Sequence, residues 1–486
     1  MRRTRSSRIP RVLGALLLIC SFSIFSSLQV IAQTCTVQAS AASPDSVFDQ
    51  DFTQNGPGQR GPNGLVMEPP NIPGWTGGDS TYSVYLPMTG ETVFFFSDSY
   101  IGQAPPAVGD GTASNSNGLR SRAVNCDPSF GCYPATNLYH AHNSLVVRDA
   151  FGLVLRTITG PVSGGYSTSY FVPADAASTG HFYWVGDSVL VDHIPGSFGP
   201  KVLTVLMEWD GFLNYYGAAI AQLSVPSLTI DAIQPVVNDP SGDPVHWGIS
   251  TLVRESIGGP TLYTYGIEDY LPYPPFSFYR FRVPHVSRVN LHLGLTGIAD
   301  MNNWQVYNRS SGWVSNNILA SSRMIGDPND PNNANDSIGE GFTVSKIRSS
   351  VGTTYLLVSQ DTNPNTTVAV DNLPSPPNGP GPVFVSTANE IILYSACSPE
   401  GPYSAKQGVY ASPETQATTL PGMTGGQTLY GHLWTYNPVA HPQFNWPGGL
   451  LVSYNVNSDD SGDLIYADAY RPKFIRVPIS GLLPDF

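Results

Sequence analysis

Short strands separated by turn residues recur along most of the chain, and this recurrence restricts the fold more than any other feature of the sequence. Short segments rich in apolar, β-branched and aromatic residues lie at 83–86, 92–96, 201–207 and 354–358, which is typical of β-strands. No amphipathic stretch indicates a helix of more than two turns. The 48 glycines and 43 prolines among 486 residues supply the many turns that such strands need. The sequence therefore predicts an all-β protein.

The strands fall into five groups that open in a similar way. Each group begins with a small polar or glycine-containing motif, continues into an apolar strand and is followed by a second strand. The openings lie at 77–80, 185–188, 246–250, 339–343 and 430–433. Each unit needs a neighbour to bury its apolar face, and a radial array around a channel provides one while protecting the strand edges. We therefore predict a five-bladed β-propeller over residues 75–486, after a lead-in at 33–74, with a pair of β-sandwiches as the alternative.

Residues 1–32 are expected to be a secretory signal peptide. Five arginines precede an apolar stretch at 12–28, and small residues follow at 30–32, where cleavage would occur. An uncleaved N-terminal anchor is the alternative. No later stretch is long and apolar enough to span a membrane. The mature protein is therefore expected to be soluble, secreted to the periplasm or the cell exterior, free of the membrane and monomeric.

The cysteines agree with an oxidising compartment. Four remain after the signal peptide, an even number that favours two disulfides. Cys126 and Cys132 flank a short loop that can close on itself, which leaves Cys35 for Cys397. Other pairings remain compatible with the sequence.

The charge of the chain excludes one class of partner. Acidic residues outnumber basic ones, and the formal net charge is −13. A nucleic-acid binder needs a basic face that displaces counterions from phosphates. We therefore expect no nucleic-acid partner.

The five openings also indicate where chemistry would take place. The innermost strand of each propeller blade lines the channel, so the residues that open these strands meet at one mouth. The residues expected in this ring are Asp79, Asp187, His246 with Trp247, Glu340 and His432. Three carboxylates would supply a general acid, a general base and a group that tunes a pKa or orients a sugar. The alternative is structural, because Asp and Ser after a turn often cap backbone N–H groups.

Several motifs resemble a known group of proteins. Residues 75–83 (WTGGDSTYS) with 96–102 (FSDSYIG) resemble the first blade of secreted propellers in domain-of-unknown-function families 4185 and 5005. Motifs similar to later parts of the same group are 142–147 (HNSLVV), 339–342 (GEGF), 430–432 (YGH) and 453–457 (SYNVN). The resemblance extends from about residue 75 to 457, which is most of the mature chain.

The resemblance implies a chemistry. The group is similar to the five-bladed glycoside hydrolases of families 43, 62, 32 and 68, and some of its members are endo-acting D-arabinanases. It implies furanoside hydrolysis at the propeller mouth by Asp79, Asp187 and Glu340. Glu340 falls in the fourth group, whereas family 43 would place the glutamate in the third. Glu255 and Glu268 lie in that third group, but each follows a strand, and we rank them lower.

Other polar and aromatic residues near the openings are candidates for contact with a sugar. They are Asp98, His142, Asn143, Trp184, His246, Trp247, His432 and Asn455. Their polar groups can hydrogen-bond sugar hydroxyls, and the indoles can stack on a sugar face. The structural alternatives are a place in the core for the tryptophans and a capping role for the polar residues. His432 has the further option of ligating an ion in the channel.

No cofactor is expected to be required, although one loop has the composition of a calcium site. It contains Asp327, Asp330 and Asp336 among asparagines, which offer the hard oxygen ligands that calcium favours. The leading hypothesis is a secreted glycoside hydrolase acting on a furanose-containing polysaccharide such as an arabinan, D-arabinan or arabinogalactan. The alternative is a non-catalytic propeller that binds carbohydrate or another surface.

Overall fold

The structure is a computed structural model of the chain. It describes residues 35–54, 74–103, 123–127, 131–133, 140–152, 154–163, 166–256, 258–270, 281–326, 337–362, 390–414, 433–445, 449–458 and 470–484. The predicted signal peptide, His432 and the predicted calcium loop with Asp327, Asp330 and Asp336 lie outside these residues.

Five antiparallel sheets form the blades of a β-propeller, which confirms the predicted fold. From the channel outwards, blade 1 consists of Tyr82–Leu86, Glu91–Phe96, Ser144–Arg148 and Val154–Ile158. Blade 2 consists of Phe182–Val191, Lys201–Trp209, Tyr215–Ser224 and Ile230–Pro235. Blade 3 consists of Val245–Arg254, Thr261–Tyr270, Phe281–Asn290, Gln305–Asn308 and Gly312–Ser315. Blade 4 consists of Ile338–Ser349, Gly352–Asp361, Glu390–Ala396 and Gln407–Ala411. Blade 5 consists of Leu433–His441, Leu450–Ser458, Arg471–Val477 and Ser43–Pro44.

Hydrogen bonds link each blade to the next and close the ring. Blade 2 is joined to the end of blade 1 by Val185 N and Ser97 Oγ (3.0 Å), and blade 3 to blade 2 by Ser250 Oγ and Asp187 Oδ2 (3.0 Å). Blade 4 is joined to blade 3 by Val344 N and Ser250 Oγ (2.9 Å), and blade 5 to blade 4 by Ala440 N and Thr343 Oγ1 (2.9 Å). Ser83 Oγ and His441 Nδ1, 2.6 Å apart, join blade 1 to blade 5. Apolar clusters fill the spaces between blades. One contains Tyr265 of blade 3 with Tyr394 of blade 4, and another contains Val84 of blade 1 with Val185 of blade 2. Each blade thus buries its apolar faces against its neighbours.

The lead-in is part of blade 5. Strand Ser43–Pro44 pairs with Arg471–Val477, so a strand from the lead-in forms the outer edge of the sheet of blade 5. The helix Ser46–Gln54 follows it and buries Phe48 and Phe52 among aromatic rings of blades 1 and 5. With nine residues it makes about 2.5 turns. Our expectation of no helix beyond two turns is therefore wrong here, because two phenylalanines four residues apart are enough to anchor a short helix.

The remaining elements are small. A four-stranded sheet beside blade 1 consists of Gly74–Gly78, Ser99–Gln103, Ala123–Asp127 and Gly131–Tyr133, and Val162–Ser163 pairs with Tyr166–Ser167. Short helices cover Ala176–Thr179 and Gly294–Ile298, with 3₁₀ turns at Leu291–Leu293, Met301–Asn303, Ile318–Ala320 and Pro442–Phe444. None of the helices in the described ranges has the length and apolar character that crossing a membrane requires.

Cys35 and Cys397 form a disulfide that ties the lead-in to blade 4, as predicted. Cys126 lies opposite Cys132 in a two-stranded pairing. The side chains of this second pair lie outside the described part of the chain, so their disulfide remains a prediction.

Inner strands bulge near the end of the channel at which they begin, which we call the mouth. Their pairing shifts register at four places, between Val185 and Ser188, Trp247 and Ser250, Ile338 and Phe342, and Tyr436 and Val439. A bulge bends a strand and redirects its side chains. A Cβ atom on Gly186 would lie 1.9 Å from the carbonyl oxygen of Gly248, so these two bulges approach too closely for a larger residue.

Candidate active site

Asp79 lies just before the inner strand of blade 1 and is held by blade 5. Its Oδ2 accepts hydrogen bonds from the hydroxyls of Tyr436 and Tyr470, at 2.7 and 2.8 Å, whereas its buried Oδ1 has no hydrogen-bond partner among the described residues. Burial, the charge of Asp98 and, more weakly, that of Glu340 raise the pKa of Asp79 to about 7. The two tyrosine hydroxyls oppose this shift without cancelling it.

Asp187 lies in the bulge of the inner strand of blade 2. Its Oδ1 accepts from the backbone N–H of Ser188 at 2.8 Å, and its Oδ2 accepts from Ser250 Oγ at 3.0 Å and from the backbone N–H of Thr251 at 2.9 Å. Burial raises the pKa of Asp187 to about 6, although these three donors oppose the shift. The carboxylate is therefore fixed in position by blade 3.

Glu340 lies in the bulge of the inner strand of blade 4 and is the most accessible of the three carboxylates. Its side chain is 49% exposed, and its Oε2 lies 3.3 Å from Nη2 of Arg282 on blade 3. An ion pair this exposed contributes little to stability. Glu340 therefore keeps the freedom to reorient toward a ligand in the mouth.

The charges of all three carboxylates act on Tyr82, the first residue of the inner strand of blade 1. Burial raises the pKa of Tyr82 well above its ordinary value, and the negative charges of Asp187, Glu340 and Asp79 raise it further, in that order. The pKa of Tyr82 is thus affected by carboxylates of blades 1, 2 and 4. The structure places the three residues predicted for catalysis at the same mouth.

Asp98, His142 and Trp184 form a second polar group beside this trio. Asp98 Oδ1 accepts from Trp184 Nε1 at 3.0 Å and lies 3.0 Å from His142 Nδ1, and the carbonyl oxygen of Asp98 accepts the Asp79 N–H at 3.2 Å. The His142 ring stacks on Phe182 with centroids 3.8 Å apart. All three predicted residues are partly accessible, so a ligand in the mouth can reach this group.

Three other residues predicted to contact substrate lie in the interior, and that prediction requires correction. Asn143 is fully buried, and its Oδ1 and Nδ2 bond the backbone N–H and C=O of Phe171. Trp247 is also fully buried, with its Nε1 donating to Asp243 at 2.8 Å. Asn455 is fully buried and donates to a backbone carbonyl 3.1 Å away. Each is hydrogen-bonded to a protein group instead of facing the mouth, which is the structural alternative for such residues.

His246 differs from these three residues because it remains partly accessible. Its ring stacks on Tyr215 with centroids 4.3 Å apart and meets Trp209 edge-on. It therefore stays a candidate for substrate contact, on an aromatic surface that continues from blade 2 into blade 3.

The two lower-ranked glutamates are poorly suited to proton donation in the mouth. Glu255 is exposed and follows the inner strand of blade 3 at the end away from the mouth. Glu268 is hydrogen-bonded to His285 and ion-paired with Arg323, each at 3.1 Å, and these contacts lower the pKa of Glu268 to about 2. A carboxyl group held in its charged form has no proton to give.

Sequence reasoning missed four residues of this mouth. Tyr436 and Tyr470 donate to Asp79, and Arg282 pairs with Glu340. Asn437 occupies the blade 5 bulge with φ of 48°, and its buried Oδ1 has no hydrogen-bond partner in the described part of the chain. Only Asn437 had a local signal, since an Asn–Pro pair marks a break in a strand.

Taken together, the fold and the mouth define a five-bladed propeller whose inner strands present three carboxylates to one opening. Residues 71–479 match the family described as a domain of unknown function, DUF5005. The chain belongs to this family, as the resemblance in its motifs implied.

A solved structure with a TM-score above 0.5 supports the same fold, and two further structures are more distantly similar. A protein from Bacteroides ovatus described as a candidate hydrolase is 16% identical, with 90% of each chain covered and a TM-score of 0.53. A thermostable family-43 glycoside hydrolase is 11% identical over 84% of this chain and 94% of its own, with a TM-score of 0.39. An alpha-L-arabinofuranosidase from Lactobacillus brevis is 11% identical over 83% and 90%, with a TM-score of 0.34. At such identities the likeness concerns the fold alone. No curated protein matches the chain.

Proposed function

We propose that this protein is a secreted glycoside hydrolase that cleaves a furanose-containing polysaccharide, such as an arabinan, D-arabinan or arabinogalactan. The observation that carries the proposal is the position of Asp79, Asp187 and Glu340 at, or just before, the mouth ends of the inner strands of blades 1, 2 and 4. Glycoside hydrolysis needs one carboxyl group to protonate the leaving oxygen and another to act as base or nucleophile. The furanose preference comes from the resemblance of the motifs to arabinan-degrading propellers.

The environments of the carboxylates suggest a role for each. Glu340 is accessible and free to move, which suits a general acid that must reach the glycosidic oxygen. Asp79 accepts hydrogen bonds from two tyrosine hydroxyls and lies at the mouth end of blade 1, which suits a base or nucleophile. Asp187 is fixed by three donors, which suits a residue that orients the sugar or tunes the trio.

One observation favours the non-catalytic alternative. The ion pair between Glu340 and Arg282 must open before Glu340 can carry and transfer a proton. A propeller that only binds carbohydrate would tolerate this pair permanently. The binding function therefore remains the second candidate, and the two differ in whether a bound polysaccharide is cleaved.

The experiment is to incubate the mature protein with plant and mycobacterial cell-wall polysaccharides and measure new reducing ends. With the polysaccharide that is cleaved, Glu340→Gln should lower kcat by roughly 100-fold or more at nearly unchanged KM, because the amide keeps the shape but has no proton to transfer. Glu255→Gln, an exposed glutamate away from the mouth, is the matched control and should leave kcat unchanged. Near-normal turnover of Glu340→Gln would refute its role. Binding without any cleavage would favour the second candidate.

A further inference from the structure

The mouth contains a cluster that hydrolysis by the three carboxylates does not use. Asp98, His140 and His142 offer three ligand atoms that lie within 4.8 Å of one another. We propose that these residues bind a divalent transition-metal ion of the zinc type. The site goes beyond the proposed hydrolysis, since no step of that reaction requires it.

The backbone brings the three side chains together. Ser99 and Ala141 form an isolated antiparallel bridge, with the N–H of each donating to the carbonyl of the other at 2.7 and 2.9 Å. Residues two apart on an extended segment point to the same side. His140 and His142 therefore flank the bridge on one side, and Asp98 lies opposite His142.

The spacing of the donor atoms suits a small metal ion. His142 Nδ1 and His140 Nε2 lie 3.0 and 3.7 Å from Asp98 Oδ1. Two ligands of a tetrahedral zinc ion, with bonds of about 2.1 Å, lie about 3.4 Å apart. The observed distances fall on either side of this value, so small side-chain rotations would bring the three atoms to bonding distance.

Neighbouring groups hold two of the ligands in orientation. Trp184 Nε1 donates to Asp98 Oδ1 at 3.0 Å, and the backbone N–H of His142 donates to Ser169 Oγ at 2.9 Å. The His142 ring also stacks on Phe182 with an interplanar angle of 13°. Outer groups that fix a carboxylate and an imidazole are characteristic of metal sites in proteins.

The chemistry of the ligands identifies the class of metal. Two imidazoles with one carboxylate favour zinc, copper or nickel over calcium and magnesium, which prefer oxygen ligands. His140 and His142 line a cavity of about 360 Å³, which leaves room for water or a sugar hydroxyl at the remaining coordination position. The nearby Asp79 adds to the acidic surroundings that favour a cation.

A second cluster provides an internal comparison. Asp175, His181 and Glu208 also lie within 4.8 Å of one another, but they include a single imidazole, and Asp175 is exposed. His181 already bonds Glu208 at 2.8 Å. Fewer nitrogen ligands and greater exposure predict weaker binding of a zinc-type ion here.

The test is calorimetric titration of chelator-treated protein with ZnCl₂, with Co²⁺ absorption and Cu²⁺ electron paramagnetic resonance as readouts of the ligands. We expect one strong site per chain and nitrogen hyperfine splitting from two imidazoles. His140→Gln and Asp98→Asn should each weaken zinc binding by roughly 100-fold or more, and Trp184→Phe, which removes only the outer donor, by roughly 10-fold. His181→Gln and the exposed His193→Gln are the controls and should retain the strong site.

Three outcomes would overturn the proposal. The first is that the protein binds zinc no more tightly than free imidazole does. The second is that His140→Gln and Asp98→Asn both bind zinc as the wild type does. The third is that only His181→Gln loses the strong zinc site. Circular dichroism identifies a variant that fails to fold, and the conservative Trp184→Phe then provides the test. Because the readout is binding of the metal alone, failure of this site and failure of the proposed hydrolysis are distinguishable.

Discussion

As the pH rises, ionisation of the buried Asp187 should lower the free energy of unfolding. Replacing Asp187 by asparagine is expected to remove this loss of stability. Burial raises the pKa of this carboxyl from 3.8 to about 6. The native state therefore holds the proton more tightly than the unfolded chain does. Protonation stabilises the fold fully below a pH of about 4, and this stabilisation is lost as the pH rises through about 6. Asparagine does not ionise and has no such dependence.

The magnitude follows from the shift. One pKa unit corresponds to about 1.4 kcal/mol, so a shift of about two units is worth about 3 kcal/mol at full development. Roughly 2 kcal/mol of this should develop between a pH of about 4.5 and 8. Asparagine also disturbs the bonds to Ser188, Ser250 and Thr251, but that cost is the same at every pH. The informative quantity is therefore how the difference in free energy of unfolding between Asp187→Asn and the wild type changes with pH.

The assay is urea unfolding followed by tryptophan fluorescence at three pH values across this range. The free energy of unfolding of Asp187→Asn, relative to the wild type, should rise by about 2 kcal/mol from the lowest to the highest pH. Asp192→Asn, an exposed aspartate just beyond the same strand, should show no such trend. A difference that is independent of pH, or that falls as the pH rises, would refute the reasoning.

Two further changes test the framework around the mouth. Replacing Cys35 and Cys397 by serine should lower the free energy of unfolding by about 2 to 4 kcal/mol, because the disulfide restricts the unfolded chain. Urea unfolding without reductant measures this loss. Glu268→Gln should lower the stability at neutral pH by about 2 to 3 kcal/mol, since the contacts with His285 and Arg323 that lower the pKa of Glu268 to about 2 would be lost. This loss of stability should shrink as the pH falls below about 4.5. Turnover of Glu268→Gln should stay near that of the wild type. A loss of turnover comparable with that of Glu340→Gln would instead indicate that Glu268 takes part in catalysis.

The fold was largely predictable because its signal is periodic and repeated. Strand-like apolar segments identified the inner strand of blade 1 and the second strands of blades 1, 2 and 4, and the five openings marked the inner strands that converge on the mouth. The lead-in was less accessible, since Ser43–Pro44 is too short to show alternation. Its pairing with Arg471–Val477 depends on a partner more than 400 residues away.

The site was predictable only where it coincides with an opening. Asp79, Asp187 and Glu340 share that local pattern, whereas Tyr436 and Tyr470 come from blade 5 and reach Asp79 only after the ring closes. The sequence also could not separate amides that face solvent from those that face the backbone. The amides of Asn143 and Asn455 are of a type that can bind sugar hydroxyls, but in this structure they are hydrogen-bonded to buried backbone groups.

The shared sheet of blade 5 has a consequence for how the protein is made. Its outermost strand, Ser43–Pro44, is synthesised before the other described strands of the propeller, whereas the strand it pairs with, Arg471–Val477, is synthesised after them. A growing chain can therefore assemble blades 1 to 4 in order while strand Ser43–Pro44 has no partner. Tyr470, which completes the support of Asp79, arrives at the same late stage. Translation products that stop before Tyr470 should thus lack both a closed ring and the complete support of Asp79.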